Sequence, residues 1–189
     1  QEIILNSKLR YYKGNDLTIQ ACETLIHYLF NKDKRGIGGK KILILGAGNI
    51  GFKIALKLVE CGAELYLLRR NKKILKSIIQ VINSIKPKAT AAKAQQFVNF
   101  NAGLKKFDLI IGATNNKSLI FLNHIKNINK KTIFIDIGKG IFAKNALELA
   151  ILKKMQVYRL DVTPAYDSYF ENVYSTLKIN DFNLKKTKK

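Results

Sequence analysis

Lys41-Ile42-Leu43-Ile44-Leu45 runs directly into Gly46-Ala47-Gly48-Asn49-Ile50-Gly51. Four consecutive apolar side chains, Ile42 to Leu45, have the pattern of a central parallel strand buried on both faces. The six residues that follow spell GxGxxG, a pattern that occurs by chance but gains meaning where it leaves a strand and opens a helix. In that setting Gly46 permits the tight turn, Gly48 lets the backbone approach a pyrophosphate, and Gly51 allows the helix to pack closely on the strand. The helix N-terminus beyond offers unpaired N–H groups and a positive dipole end to an anion. Gly46, Ala47, Gly48, Asn49, Ile50 and Gly51 are therefore the expected pyrophosphate turn of a dinucleotide site. The alternative is a glycine-rich turn that serves the fold alone.

Working outward, the same alternation of apolar strand and amphipathic helix continues. A helix from about Asn49 to Cys61 precedes a strand at Glu64–Leu68, and Asn71 to Ile85 is helical up to Pro87. A third strand is expected around Thr90 to Ala94. Further strands are expected at Asp108–Ile111, Thr132–Asp136 and Gln156–Val162, with helices at Lys117–Ile128 and Ala143–Lys154. Upstream, Asp16 reads as an N-cap for a helix from about Leu17 to Phe30. Downstream of Pro164, Tyr166 to Leu177 reads as helical. This order predicts an α/β fold, a doubly wound parallel sheet of the Rossmann type with a leading helix and a C-terminal helix. The expected organisation is a helical segment over 1–39, the edge or remnant of a substrate domain, a nucleotide-binding domain over 40–178, and a basic tail over 179–189.

The tip of the second strand bears on which nucleotide binds. An NAD site usually places an Asp or Glu there to accept from the ribose 2′-OH. Here the tip reads Arg69-Arg70-Asn71, with no acid. Two guanidiniums can grip a 2′-phosphate that a carboxylate would repel. NADP is the preferred cofactor on this reading and NAD the lesser one; the plain alternative is a pair of surface charges. Two further strands end in small residues at the edge where such sheets hold ligands. The first runs through Gly112 to Ala113, Thr114 and Asn115, near the expected nicotinamide ribose. The second gives Asp136-Ile137-Gly138-Lys139-Gly140, where Gly138 would let backbone approach the nicotinamide. Asp136 could equally cap a turn there, and Lys139 could be one more solvated lysine.

Catalytic residues are not legible. No Ser/His/Asp or Cys/His grouping appears; His27 and His124 lie on expected helices among apolar neighbours, as surface or core histidines do. Asp161 and Tyr166 fall at the ligand edge without an assignable role. Cys22 and Cys61 lie on two expected helices with no CxxC pair, so they read as reduced core thiols and no metal site is expected.

Of 189 residues, 34 are Lys or Arg and 13 are Asp or Glu, a formal charge of +21. Such a surplus can mark a polyanionic partner. Yet 29 of the basic residues are Lys and 5 are Arg, and the lysines are spread along the chain apart from Lys185, Lys186, Lys188 and Lys189. Together with abundant Ile and Asn, this is the composition of an AT-rich coding sequence with solvated lysine faces, and it argues against a dedicated nucleic-acid binder. At 47% apolar residues the chain can bury a sizeable core. No apolar run approaches the roughly 18 residues of a membrane span, and no signal peptide is visible, so a cytoplasmic protein without membrane contacts is expected. The chain opens with Gln, as a fragment or processed product would.

The stretch GGKKILILGAGNIGFKIALKLVECGAELYLLRRN, with the later GATNN and FIDIGKG, resembles the cofactor domain of amino-acid-dehydrogenase-like proteins such as shikimate dehydrogenase, glutamyl-tRNA reductase and adenosylhomocysteinase. The resemblance covers roughly residues 17 to 178. It implies an NAD(P)-binding domain of a dehydrogenase or reductase acting on a small metabolite. In the first two proteins an Asn-Arg-Thr-like element binds the NADP phosphate; Arg69-Arg70-Asn71 stands at that place, similar in charge but not identical. It also implies a separate substrate domain or subunit that carries the catalytic residues, for which the residues before the glycine turn are too few. Homo-oligomerisation is compatible with this picture. A non-catalytic nucleotide-sensing or scaffold domain is the alternative, and a binder of nucleic acid or acidic surfaces the third reading.

Overall fold

A computed structural model describes residues 13–98, 100, 103–114 and 118–171. Six strands form one sheet: β1 (Lys41–Leu45), β2 (Glu64–Leu68), β3 (Ala94–Gln96), β4 (Leu109–Gly112), β5 (Ile133–Asp136) and β6 (Val157–Arg159). The order is β3-β2-β1-β4-β5-β6, and every neighbouring pair is parallel. This is the doubly wound arrangement in which the strand order reverses between β1 and β4. The reversal leaves a crevice at their carboxyl ends, where Leu45 pairs with Gly112.

Among the described residues the sheet is covered by α1 (Gly14–Leu29), α2 (Asn49–Glu60), α3 (Lys72–Ile85), α4 (Leu122–Asn127) and α5 (Lys144–Leu152). Because side chains alternate along a strand, each strand feeds two cores. Ile42, Ile44, Ile111 and Ile135 pack with α1, α2 and α3 on one face. Leu43, Leu45, Ile110 and Phe134 pack with α4 and α5 on the other. The continuous apolar run of β1 is thereby explained: Ile42 to Leu45 are all fully buried.

Several local expectations are corrected. Asp16 does not cap α1; the helix begins at Gly14 after Lys13, and Asp16 lies in its first turn, where its carboxylate meets Lys53 Nζ of α2 at 2.5 Å. That ion pair and Glu23–Lys57 at 2.7 Å join α1 to α2. Tyr28 faces solvent, because the buried stripe of α1 runs through Leu17, Ile19, Cys22 and Ile26. Cys61 is exposed at the end of α2 while Cys22 is buried in the core. β3 starts at Ala94 rather than Thr90, and its outward-facing edge is taken up by Asn83. That side-chain amide donates to the Ala94 carbonyl at 2.8 Å and accepts the Ala94 N–H at 2.9 Å. α4 begins only at Leu122, because residues 118–120 run alongside residues 140–142 through a bridge between Ile120 and Phe142. β6 is shorter than expected. Residues 166–171 are helical, and the rest of that expected helix, the basic tail and residues 1–12 lie outside the described residues. Among the described residues no helix is long and apolar enough to cross a membrane.

Candidate functional site: a dinucleotide edge at the strand reversal

The glycine turn is built by close contact. Gly46 has φ +109, a conformation L side chains rarely adopt, and its N–H and that of Ala47 both donate to the Leu68 carbonyl. A Cβ on Gly46 would stand 2.6 Å from the Ala113 carbonyl oxygen and 2.7 Å from Thr114 Cγ2. A Cβ on Gly51 would stand 2.1 Å from the Gly46 carbonyl oxygen, so the first turn of α2 is pressed onto the glycine turn. Gly48 differs: nothing lies within 4 Å of the place its Cβ would take. The three glycines therefore divide as the motif's physics requires, two for packing and one for open space above the helix N-terminus. Gly48 is the N-cap of α2 and Asn49 its first residue, exposed; Ile50 packs on the core and Ala47 is fully buried.

At the tip of β2, Arg69 folds back over this turn, and its Nη1 donates to the Ala47 carbonyl at 2.5 Å. Arg70 is exposed. The Asn71 side chain is committed to the fold: it caps α3 by accepting the Ile74 N–H at 3.1 Å. No carboxylate stands at this tip, whose sequence continues Lys72-Lys73 into the first turn of α3. The N-terminus of α3 and the cations around it make the end of β2 favourable for an anion.

Across the crevice, the loops after β4 and β5 are bound into one unit. Ala113 N–H donates to the Leu45 carbonyl at 2.8 Å, tying β4 to β1. A Cβ on Gly138 would fall 1.8 Å from the Thr114 carbonyl oxygen, so only glycine fits where the two loops cross. Ser118 Oγ lies 3.2 Å from the carbonyls of both Gly140 and Phe142, and the N–H groups of Leu119 and Ile120 donate to the Ile141 carbonyl. Thr114 is therefore held between the glycine turn and the β5 loop. Asn115 lies outside the described residues.

Asp136 caps a turn, one of the roles open to it at a strand end: Oδ2 accepts the N–H groups of Gly140 and Ile141. The clamp on Thr114 has no signal in the sequence, since strand-end periodicity says nothing about how two loops cross. His124 is buried in α4, accepts the Phe121 N–H on Nδ1 at 3.0 Å, and is held below the usual imidazole range by burial. Its ring packs against those of Phe100 and Phe121; His27 is exposed. Among the described residues no three His, Cys, Asp or Glu side chains converge as metal ligands would. An open cleft of about 670 Å³ lies beside Cys61, Gly62 and Glu64, at the opposite edge of the sheet.

With this geometry in place, comparison with known proteins decides the family. The family profile described as shikimate / quinate 5-dehydrogenase matches residues 29–161, which span β1 to β6. The chain belongs to that family. Phenylalanine dehydrogenase of Lysinibacillus sphaericus is 25% identical over 170 residues, covering 75% of this chain and 44% of that protein. The dipicolinate synthase A chain of Bacillus subtilis superposes with a TM-score of 0.58 at 16% identity, over 88% of this chain and 54% of the other. Shikimate 5-dehydrogenase of Listeria monocytogenes, solved with shikimate and NAD, gives a TM-score of 0.55 at 17% identity, over 78% and 52%. At these identities the two structures speak to the fold alone, a doubly wound Rossmann-type sheet. The chain spans about half the length of the proteins it matches.

Proposed function

We propose that this chain is the NADP(H)-binding half of an oxidoreductase that transfers a hydride to or from a small metabolite. In this reading Gly46, Ala47, Gly48, Asn49, Ile50 and Gly51 carry the pyrophosphate, and Arg69 and Arg70 grip the 2′-phosphate beside Asn71. Ala113, Thr114, Asn115 and Gly138 border the nicotinamide end. The residues fit a dinucleotide on two counts: the open space at Gly48 admits a pyrophosphate, and the acid-free tip of β2 admits a phosphate.

The observation that carries the reading is Arg69, whose guanidinium already lies over the glycine turn through its bond to Ala47. It brings a permanent cation to the anion-binding turn, with further N–H donors on the same group free to meet a phosphate. When bound, the nicotinamide supplies the hydride chemistry. The chain's own residues bind the phosphates, set the ring at the β4–β5 edge and hold the two loops rigid. The catalytic acid or base belongs, on this reading, to a substrate domain or subunit beyond these residues. Residues 40–178 are then the cofactor domain, and α1 within 1–39 is the element that leads into it. Measuring NADPH and NADH affinity of wild type and Arg69→Ala/Arg70→Ala tests the assignment: a loss confined to NADPH supports it, and equal losses overturn it.

A further inference from the structure

The carboxylate of Asp136 is used unevenly. Its Oδ2 accepts the N–H groups of Gly140 at 2.8 Å and Ile141 at 3.3 Å, closing the loop in which Lys139 and Gly140 take positive φ of 58° and 106°. Its Oδ1 is buried and has no hydrogen-bond partner among the described residues. Nor does a cation neutralise it there: the ion pairs among these residues are Asp33–Lys40, Asp16–Lys53 and Glu23–Lys57. Lys139, the nearest cation in sequence, is exposed.

A turn cap needs one acceptor oxygen, which a neutral Asn also supplies. A buried oxygen left without a partner costs free energy, more so when it belongs to an ion. An Asp at this position therefore brings a carboxylate where the turn itself needs only a single acceptor. Its place is informative: Asp136 ends β5 in register with Gly112 of β4, two residues before the Gly138–Thr114 crossing. That crossing borders the nicotinamide end of the dinucleotide on the reading above, on which this inference rests. Hydride transfer changes the charge of that ring. The oxidised pyridinium is a cation; on accepting a hydride, a proton with two electrons, it becomes a neutral dihydropyridine.

We infer that Asp136 makes the site sensitive to the redox state of its cofactor, its carboxylate holding the oxidised dinucleotide more tightly than a neutral residue would. At an effective dielectric near 20, two unit charges about 10 Å apart interact strongly enough to alter a binding constant by roughly tenfold. Solvent at the rim and Lys139 reduce this to an expected three- to tenfold.

The test compares dissociation constants of NADP⁺, NADPH and adenosine 2′,5′-bisphosphate for wild type, Asp136→Asn and Lys139→Asn. Asn at 136 keeps an acceptor for Gly140 and removes the charge. Asn at 139 tolerates the positive φ and removes the neighbouring cation. The expected result is that Asp136→Asn weakens NADP⁺ about three- to tenfold relative to NADPH and leaves adenosine 2′,5′-bisphosphate unchanged. Lys139→Asn shifts the NADP⁺/NADPH ratio the opposite way. Equal loss of all three ligands in Asp136→Asn would make Asp136 a structural cap only and overturn the inference, as would unchanged ratios. If Asp136→Asn does not fold, an unchanged ratio in Lys139→Asn still overturns it. Wild type binding neither dinucleotide would remove the dinucleotide reading itself, and this inference with it; wild type binding both with an unmoved ratio would remove the inference alone.

Discussion

The guanidinium of Arg69, at the tip of β2, donates from Nη1 to the carbonyl of Ala47 in the glycine turn at 2.5 Å. A cation at the end of one strand is thereby fixed over the glycine turn at the end of another. The side chain therefore forgoes little further freedom when a phosphate arrives, and preorganisation of this kind favours affinity. Replacing Arg69 and Arg70 together with Ala is expected to reduce NADPH affinity about tenfold to a hundredfold more than NADH affinity, the scale of one charged hydrogen bond. Parallel titrations of the double variant with both nucleotides read this directly.

Gly48 and Gly51 make a contrasting pair. Space is open at Gly48, so Gly48→Val is expected to abolish dinucleotide binding while the unfolding midpoint stays near that of wild type. A Cβ at Gly51 meets the Gly46 carbonyl at 2.1 Å, so Gly51→Ala is expected to cost about 1–3 kcal/mol of stability through forced backbone shifts. Denaturant unfolding and nucleotide titration of the two variants separate the outcomes. Binding retained in Gly48→Val would move the site elsewhere.

The two thiols are expected to react very differently. Burial pushes the Cys22 thiol up to about 12, and it lies fully inside the core. The Cys61 thiol is also raised, chiefly by partial desolvation with Glu23 and Glu60 nearby, but it is exposed. Since the thiolate is the nucleophile, alkylation of the native chain at neutral pH is expected to be slow and confined to Cys61. Cys22 becomes reactive in denaturant. Mass spectrometry of iodoacetamide-treated protein checks both statements.

His124 links stability to pH. Burial lowers its folded-state pKa below the ordinary imidazole value, and its Nδ1 must stay unprotonated to accept the Phe121 N–H. A group lowered on folding contributes stability above its unfolded pKa, near 6.5 for histidine. That contribution is lost as pH falls through the lowered folded value. Unfolding free energy is therefore expected to decline below about pH 6.5, and His124→Gln is expected to flatten that part of the profile. Denaturant titrations between pH 8 and pH 5 measure it.

Much of this architecture was legible in the sequence because it follows from periodicity. The run Ile42 to Leu45 had to be buried on both faces, and GxGxxG after it had to turn. The tight packing at Gly46 and Gly51 and the open space at Gly48 agree with the steric reading of that motif. What was not legible depends on contacts between distant segments. Asp16 looked like an N-cap because its type suits one, but Lys53, thirty-seven residues on, claims its carboxylate. The side-chain oxygen of Asn71 also caps α3 by accepting the Ile74 N–H, a role that the strand-tip pattern Arg69-Arg70-Asn71 does not announce. The late start of α4 reflects the bridge between Ile120 and Phe142, a tertiary contact that overrides local helical spacing. Cys61 reads as a core thiol by residue type, yet it closes α2 at the surface.

The central claim is that an Arg-tipped β2 beside an open glycine turn selects NADP(H). Calorimetric titration of the purified chain with NADPH and with NADH, at two salt concentrations, tests it most directly. The account predicts clearly tighter binding of NADPH, with a preference that narrows at the higher salt as the guanidiniums are screened. NADH binding as tightly as NADPH, or neither nucleotide binding, would contradict it.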